Sequence, residues 1–312
     1  MKVYYNIEEL EIINNPVVTI GTFDGVHCGH IEILELLKKI ASTANGETVI
    51  ITFHPHPRKV LYPDDDTLKL LTTFDEKLQL FEQIGIEHIL VLAFGQEISE
   101  LEPEDFVKDI LVNAIGAKHL VIGHDHRFGK NRKGDFNTML HLSEEYHFVV
   151  EEIPPFLVEG ITVSSTKIRN ALTIDIDLQK ANHLLGRKYS LTGNVVEGNK
   201  NGRKLGFPTC NLYIEDTNKL VPANGVYVAL AIVSGKQLNA VINIGNRPTF
   251  NLTGVVVEAH LLNFDADLYG EELKLEFIER LRDEQKFESL DALKIQIGKD
   301  IEVAEKIFAN TI

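Results

Sequence analysis

Five short apolar runs recur through the first half of the chain: VVTIGTF (17–23), TVIITF (48–53), HILVLAF (88–94), KHLVIG (118–123) and FVVEEIP (148–154). Helix-period segments lie between them, over 30–41, 74–84, 103–114 and 136–146. Runs of this length suit buried strands, and the segments between them suit the helical crossovers that parallel pairing requires. The expectation is a doubly wound α/β domain built on a parallel sheet.

Around residue 164 the texture changes. Ser164, Ser165 and Thr166 form an N-cap cluster before the helical stretch KIRNAL, and a second helix over 177–185 precedes Gly186, a natural C-cap. After Lys188 the pattern turns to short alternating runs, YSLTGNVV, NGVYVALAIV, QLNAVINIG, VVVEAHLLNF and EELKLEFIERL, punctuated by Gly, Asn and Pro. That spacing predicts a small antiparallel barrel or sandwich, closed by one amphipathic helix over 287–310. A chain of 312 residues accommodates two such domains, placed here at 1–186 and 187–312.

Acidic residues outnumber basic ones 46 to 31, a net charge of −15, which disfavours holding a nucleic-acid backbone. Two cysteines cannot build a disulfide framework, and MKVYYNIEELEIINN has neither the basic nor the apolar region of a secretory signal. No apolar run approaches the roughly 18 residues of a membrane span. A cytoplasmic protein, binding neither membrane nor nucleic acid, is expected.

The string GTFDGVHCGH (21–30) ends the first strand and opens the first helix. Free backbone N–H groups and the positive helix end make such a junction an anion site. Gly21, Phe23, Gly25 and Gly29 shape the loop, and His27 and His30, three residues apart, project from one side, where both can donate to phosphate oxygens. Downstream, VSSTKIR (163–169) offers Ser164, Ser165 and Thr166 at a helix start, with Arg169 to balance charge on a leaving phosphate. GHDHRFGKNRKGD (123–135) concentrates basic residues in an acidic chain, which suggests an anionic ligand. The prolines of HPHP (54–57) stiffen an extended loop and no carboxylate or cysteine at metal spacing accompanies it.

GTFDGVHCGH resembles the HxGH signature of the nucleotidylyltransferase superfamily, and VSSTKIR resembles its ISSTxxR-like companion. Together with TFHPHPRKVL (52–61) and GHDHRFGKNRKGD, residues 17–186 resemble the N-terminal module of bifunctional riboflavin kinase/FAD synthetases. The resemblance implies adenylyl transfer from ATP to FMN, with His27, His30 and Arg169 catalytic, and with Asp125, Arg127 and Phe128 in contact with flavin.

GNKNGRKLGFPTCNL (198–212) is the strongest signal of the second half. Gly198, Gly202 and Gly206 let backbone N–H groups approach phosphates, and Thr209 and Asn211 share one face of an extended segment, as oxygen ligands of a phosphate-bound magnesium would. The string resembles the GxxxGRxLGFPTAN motif of riboflavin kinases, and NGVYV (224–228), NIGNRPTF (243–250), VEAHLLNFDADLYG (257–270) and RLRDEQKF (280–287) follow in that family's order. The resemblance implies phosphate binding by Gly202, Arg203 and Gly206, Mg2+–ATP on Thr209 and Asn211, Glu258 as base, and flavin contacts from Arg282, Glu284 and Phe287. Riboflavin, FMN, FAD and ATP are the implied ligands. The chain departs from the family pattern at PTCN, where Cys210 replaces alanine, and at LTIDIDLQ (172–179), where a Gly-Asp pair is usual. Two rival expectations stand beside this one: a riboflavin kinase whose first domain is inactive, and a flavin-binding module with an OB-like barrel.

Overall fold

The computed structural model describes residues 1–197, 202, 206–249 and 252–311, with backbone alone for 247–249, 252–253 and 311. Its contacts divide into two units, Met1–Ser165 and Thr166–Ile312.

The first unit is built on six parallel strands: β1 (Lys2–Tyr4), β2 (Val17–Ile20), β3 (Thr48–His54), β4 (His88–Ala93), β5 (His119–Gly123) and β6 (Val149–Ile153), in the order β1-β4-β3-β2-β5-β6. Five of them are the expected apolar runs. The sixth, β1, is an edge strand that sequence periodicity could not announce, since three residues carry no period. It is held by pairing of Tyr4 with Leu90 and by a 3.0 Å hydrogen bond between Tyr4 Oη and His88 Nδ1. Val17, Val18, Val49, Ile50, Ile51, Ile89 and Leu90 are fully buried, because helices cover both faces of the sheet.

The helices of this unit are α1 (Cys28–Ala44), α2 (Pro57–Leu61), α3 (Phe74–Ile84), α4 (Gln96–Ser99), α5 (Pro103–Asp105) and α6 (Phe136–Tyr146). α5 runs on as a π-helical stretch, Phe106–Ile115, where the pattern predicted an ordinary α-helix. That stretch still buries Phe106, Val107, Ile110 and Leu111 against the sheet, and it ends at Gly116 in the left-handed region (φ +72°). Strand order reverses between β2 and β5, so the loop after β2 lies at the topological switch point where α/β sheets bind ligands. A short hairpin, β7 (Leu157–Val158) with β8 (Ile161–Thr162), precedes α7 (Ser165–Thr173).

In the second unit, α7 and α8 (Leu178–Leu185) lead into a closed antiparallel barrel. Its strands are β9 (Ser190–Val196), β10 (Cys210–Tyr213), β11 (Gly225–Val233), β12 (Lys236–Thr249), β13 (Leu252–Leu261) and β14 (Glu272–Arg282), in the order β10-β13-β12-β11-β14-β9. Asp177 caps α8 by accepting from Lys180 N–H, and Gly186 ends it in the left-handed region, as expected. The division by contacts falls upstream of 186/187 because both helices bond to the barrel side. Ala223 N–H donates to Leu172 O at 3.0 Å, Asn182 Nδ2 donates to Phe277 O at 2.9 Å, and Tyr189 N–H donates to Asn182 Oδ1 at 2.7 Å.

Tyr227, Ala229, Ile242, Ile244, Val257, Ala259, Leu275 and Phe277 alternate along their strands as a buried set. On the opposite strand face, Val226, Val228 and Val241 cluster with Ala304 and Phe308 of α9 (Leu290–Thr311). That helix starts three residues later than its periodicity predicts, because Ser289 Oγ accepts from Ala292 N–H and sets the helix start there. Phe287 therefore precedes the helix.

Candidate active sites

In the first unit the loop between β2 and α1 is bent through unusual backbone. Phe23 (φ +49°) and Val26 (φ +39°) join Gly25 (φ +86°) at positive φ, a region that β-branched residues rarely enter. Surrounding bonds hold it there. Asp24 Oδ1 accepts from Leu71 N–H at 2.8 Å, Thr72 Oγ1 accepts from Gly25 N–H at 3.2 Å, and Ser165 Oγ donates to the Asp24 carbonyl at 2.8 Å. Gly25 must lack a side chain, since a Cβ there would stand 2.7 Å from Leu71 Cδ1.

His27 is the N-cap of α1, and its Nδ1 accepts from His30 N–H. In a neutral ring this assigns the proton to Nε2, leaving a donor. The His27 and His30 rings stack with centroids 3.6 Å apart and planes within 14°. Phe23 meets His30 edge-on at 5.1 Å, and Gly29 lets the His27 ring lie 3.4 Å from where a Cβ would stand. Two imidazoles therefore line one side of a helix N-terminus, as the sequence predicts. Phe23 itself is buried in the core, so it offers the loop's surface its backbone rather than its ring.

Ser165 opens α7, Ser164 precedes it, and Arg169 lies one turn on with Nη1 3.5 Å from Thr166 Oγ1. Ser165's hydroxyl proton is given to Asp24, so its oxygen is left as an acceptor.

The loop after β5 carries Asp125 and Arg127 exposed, with Arg127 Nη1 2.9 Å from Asp135 Oδ2. Phe128 is buried with Phe106 in the core, and Gly134 lies so close that a Cβ there would meet its ring at 2.6 Å. In this arrangement it anchors the loop. His126 beside it was missed by sequence reasoning. Burial lowers its pKa to about 4, outweighing Asp125, and its Nε2 is buried with no hydrogen-bond partner among the described residues.

In the barrel unit Arg203 and Gly198 lie outside the described residues. Phe207 N–H donates to the Gly202 carbonyl at 2.9 Å, and Gly206 is left-handed (φ +87°). A Cβ on Gly202 would collide with the Phe207 carbonyl and stand 3.0 Å from Thr209 Oγ1, so the bare glycine backbone forms a cradle around that hydroxyl. Asn211 pairs with Glu258 across the β10–β13 ladder, and Asn243 on β12 pairs with Glu258 from its other side. The three polar residues thus form one row on the strand face opposite Val257 and Ala259. Cys210 pairs with Ala259 on the other face, its Sγ 3.5 Å from the Ala259 carbonyl, and burial pushes its thiol up to about 11.

His260, two residues beyond Glu258 on the same face, donates from Nδ1 to the Pro208 carbonyl at 2.7 Å, and its ring meets Phe207 edge-on. It fixes the segment that presents Thr209. Asn243 and His260 both escaped sequence reasoning, although each lies inside a quoted motif; only strand register reveals what they face.

Of the residues expected to contact flavin in the second unit, Arg282 ends β14 and Glu284 and Phe287 follow it. Arg282 forms a two-pronged ion pair with Asp300 of α9 (Nε–Oδ1 3.0 Å, Nη2–Oδ2 2.8 Å), and its guanidinium carbon is 5.8 Å from the Phe287 ring centre. Glu284 lies over the backbone of Gly245, where any Cβ would collide with its carboxylate, and Asn224 Nδ2 is 3.4 Å from its Oε2. In this arrangement Arg282 ties the last helix to the barrel. Among the described residues no group of three or more His, Cys, Asp or Glu is placed to hold a metal, and the hard donors gathered here are the Thr209 hydroxyl and the Asn211 amide.

Comparison with known proteins finds a family model described as FAD synthetase matching residues 10–167 and one described as riboflavin kinase matching 185–308. A Haemophilus influenzae protein described as a bifunctional riboflavin kinase/FMN adenylyltransferase is 37% identical over 298 residues, covering 95% of this chain and 96% of its own. An Escherichia coli protein of the same description is 36% identical over 296 residues, covering 95% and 93%. A solved structure from Streptococcus pneumoniae, described as a macrolide-efflux protein, aligns with TM-score 0.88 at 31% identity, covering 97% of this chain and 98% of its own. Among the described residues no helix is long and apolar enough to cross a membrane.

Proposed function

The chain belongs to the family of bifunctional riboflavin kinase/FMN adenylyltransferases, and from that premise we propose how its residues divide the work. The protein phosphorylates riboflavin to FMN with ATP and adenylylates FMN to FAD. We place the boundary between the two activities at 186/187, beside residue 185, where the riboflavin kinase match begins.

In the kinase step the ribityl 5′-hydroxyl oxygen forms a bond to the γ-phosphorus as the bond to the β-phosphate oxygen breaks and ADP leaves. Glu258 takes the hydroxyl proton. Asn211 and Asn243 flank Glu258 in register and orient its carboxylate beside the nucleotide. Thr209 and Asn211 would hold a magnesium ion on the nucleotide phosphates, where it neutralises charge that builds during transfer. The Gly202 cradle around Thr209 Oγ1 supports this fit.

In the adenylylation step an FMN phosphate oxygen attacks the α-phosphorus of a second ATP and pyrophosphate leaves. The phosphate nucleophile is already anionic, so no general base is required. His27 and His30 donate to the phosphates at the N-terminus of α1, and Ser164, Thr166 and Arg169, with the backbone N–H of Ser165 at the start of α7, take up the departing pyrophosphate, while the Ser165 hydroxyl holds the Asp24 carbonyl. Asp125 and Arg127 remain the flavin-side candidates. A cytoplasmic setting, and a ligand set without nucleic acid, accord with the net charge of −15.

The observation that supports this reading is that two separate polar clusters exist: His27 and His30 at the start of α1, and Thr209, Asn211 and Glu258 at and beside the β10–β13 pair. The test is a time course of the purified chain with riboflavin and Mg–ATP. FMN should rise first and FAD follow at its expense. Accumulation of FMN without FAD would remove the proposed role of the first unit.

A further inference from the structure

Lys77 lies on α3, outside every motif of the two sites, yet it is only 7% exposed. Its ammonium donates to the Thr22 carbonyl at 3.2 Å and to Thr52 Oγ1 at 3.1 Å, and it sits 5.5 Å from the Phe74 ring centre. Thr22 belongs to the bent loop that leads to His27, and Thr52 is a buried residue of the neighbouring strand β3. A lysine on an amphipathic helix ordinarily extends its charge to water, and enclosing that charge without a carboxylate in contact is unfavourable. Packing alone would be served as well by an unbranched apolar side chain. What packing does not account for is the charge.

The segment around the start of α3 braces the same loop at two further points, through Leu71 N–H on Asp24 Oδ1 and Thr72 Oγ1 on Gly25 N–H. Lys77 supplies the third. We propose that Lys77 is a positioning residue for adenylyl transfer: it pins the Thr22 carbonyl to β3, so that the left-handed Phe23 and Val26 present His27 and His30, and it keeps a fixed positive charge behind the phosphate loop. This rests on the assignment of that loop to adenylylation. Asp24 is the charged group that faces the ammonium and favours it; Thr22, Thr52 and Phe74 are neutral. Burial lowers the lysine from 10.5 to about 8, which brings loss of the charge into the range of an ordinary assay.

The experiment uses the full chain carrying Lys77→Met or Lys77→Arg, with its own kinase activity and its melting temperature as folding controls. Lys77→Met should melt no lower than wild type and make FMN normally, while its kcat/KM for FAD synthesis falls on the order of tenfold or more. In wild type kcat/KM for FAD synthesis should decline above about pH 8, and Lys77→Met should lack that limb. Lys77→Arg, which stays charged, should recover part of the activity and shift the decline upward. FAD synthesis in Lys77→Met within about twofold of wild type, or an unmoved limb in Lys77→Arg, would overturn the proposal even if the Met variant proved unstable. His27→Ala keeps the two readings apart: full FAD synthesis there would remove the site assignment itself, whereas loss there beside an active Lys77→Met would remove only the role of Lys77.

Discussion

Asn211 and Glu258 stand directly opposite one another in the β10–β13 ladder, on the face turned away from the buried residues Leu212, Val257 and Ala259. Facing pairs in antiparallel strands bring their Cβ atoms to about 5 Å, so the Asn211 amide and the Glu258 carboxylate, proposed above as metal ligand and base, share one patch by register alone. His260 continues the same face and reaches back to Pro208. The proposed kinase site is thus organised by strand pairing, with one side-chain hydrogen bond fixing the segment around Pro208.

His260→Ala should loosen that segment. Loss of one neutral hydrogen bond is worth about 1 kcal/mol, so KM for Mg–ATP in the kinase reaction should rise about fivefold, with FAD synthesis from added FMN unchanged. Steady-state kinetics of the two steps check this, and an unchanged kinase KM would detach His260 from Thr209.

Burial raises the Cys210 thiol to about 11, so at pH 8 only on the order of one thiol in a thousand is ionised. Alkylation of Cys210 should be slow at pH 8 and accelerate roughly tenfold per pH unit up to about 11. Peptide mapping after timed alkylation measures it; rapid labelling at pH 8 would contradict the burial of this side chain.

Arg282 and Asp300 form a largely buried ion pair, Asp300 being 5% exposed. Asp300→Ala strands the guanidinium and should destabilise the barrel and its closing helix by about 3–5 kcal/mol. Calorimetry should show the loss, and kinase activity should fall at elevated temperature before FAD synthesis from FMN does. A melting temperature equal to wild type would show that the helix does not depend on this pair.

Lys77 makes stability depend on pH with a definite sign. Its folded value, about 8, lies below the ordinary 10.5, so between those limits the unfolded chain binds more protons and wild-type stability rises with pH. Any stability advantage of Lys77→Met, at most on the order of 3 kcal/mol, should be full below pH 8 and fade toward pH 10.5. Denaturant melts of both proteins at pH 7 and pH 10 check this, and an advantage that grows with pH would contradict it.

Five of the six strands of the parallel sheet, the N-terminus of α1 and a small antiparallel barrel or sandwich were legible because each rests on period or on local chemistry: apolar runs, glycines at turns, and a hydroxyl or imidazole at a helix start. What escaped depends on pairing between distant segments. A lysine on α3 reads as a solvated charge until the fold places it under Thr22, and Asn243 reads as an ordinary strand polar residue until register sets it beside Glu258. Phe128 and Arg282 show the converse. Their types suit flavin contact, and the fold adds what type alone could not tell: one packs in the core and the other pairs with Asp300, because aromatic and guanidinium groups serve packing as readily as binding.

The division of the two reactions between two phosphate loops is tested most directly by a crossed comparison of His27→Ala and Glu258→Gln in the full chain, measuring FMN formed from riboflavin and FAD formed from FMN. His27→Ala should lower FAD formation by about 10²–10³ and leave FMN formation near wild type. Glu258→Gln should lower FMN formation by about 10²–10⁴ and leave FAD formation from supplied FMN near wild type. Equal losses of both products in either variant would contradict the division.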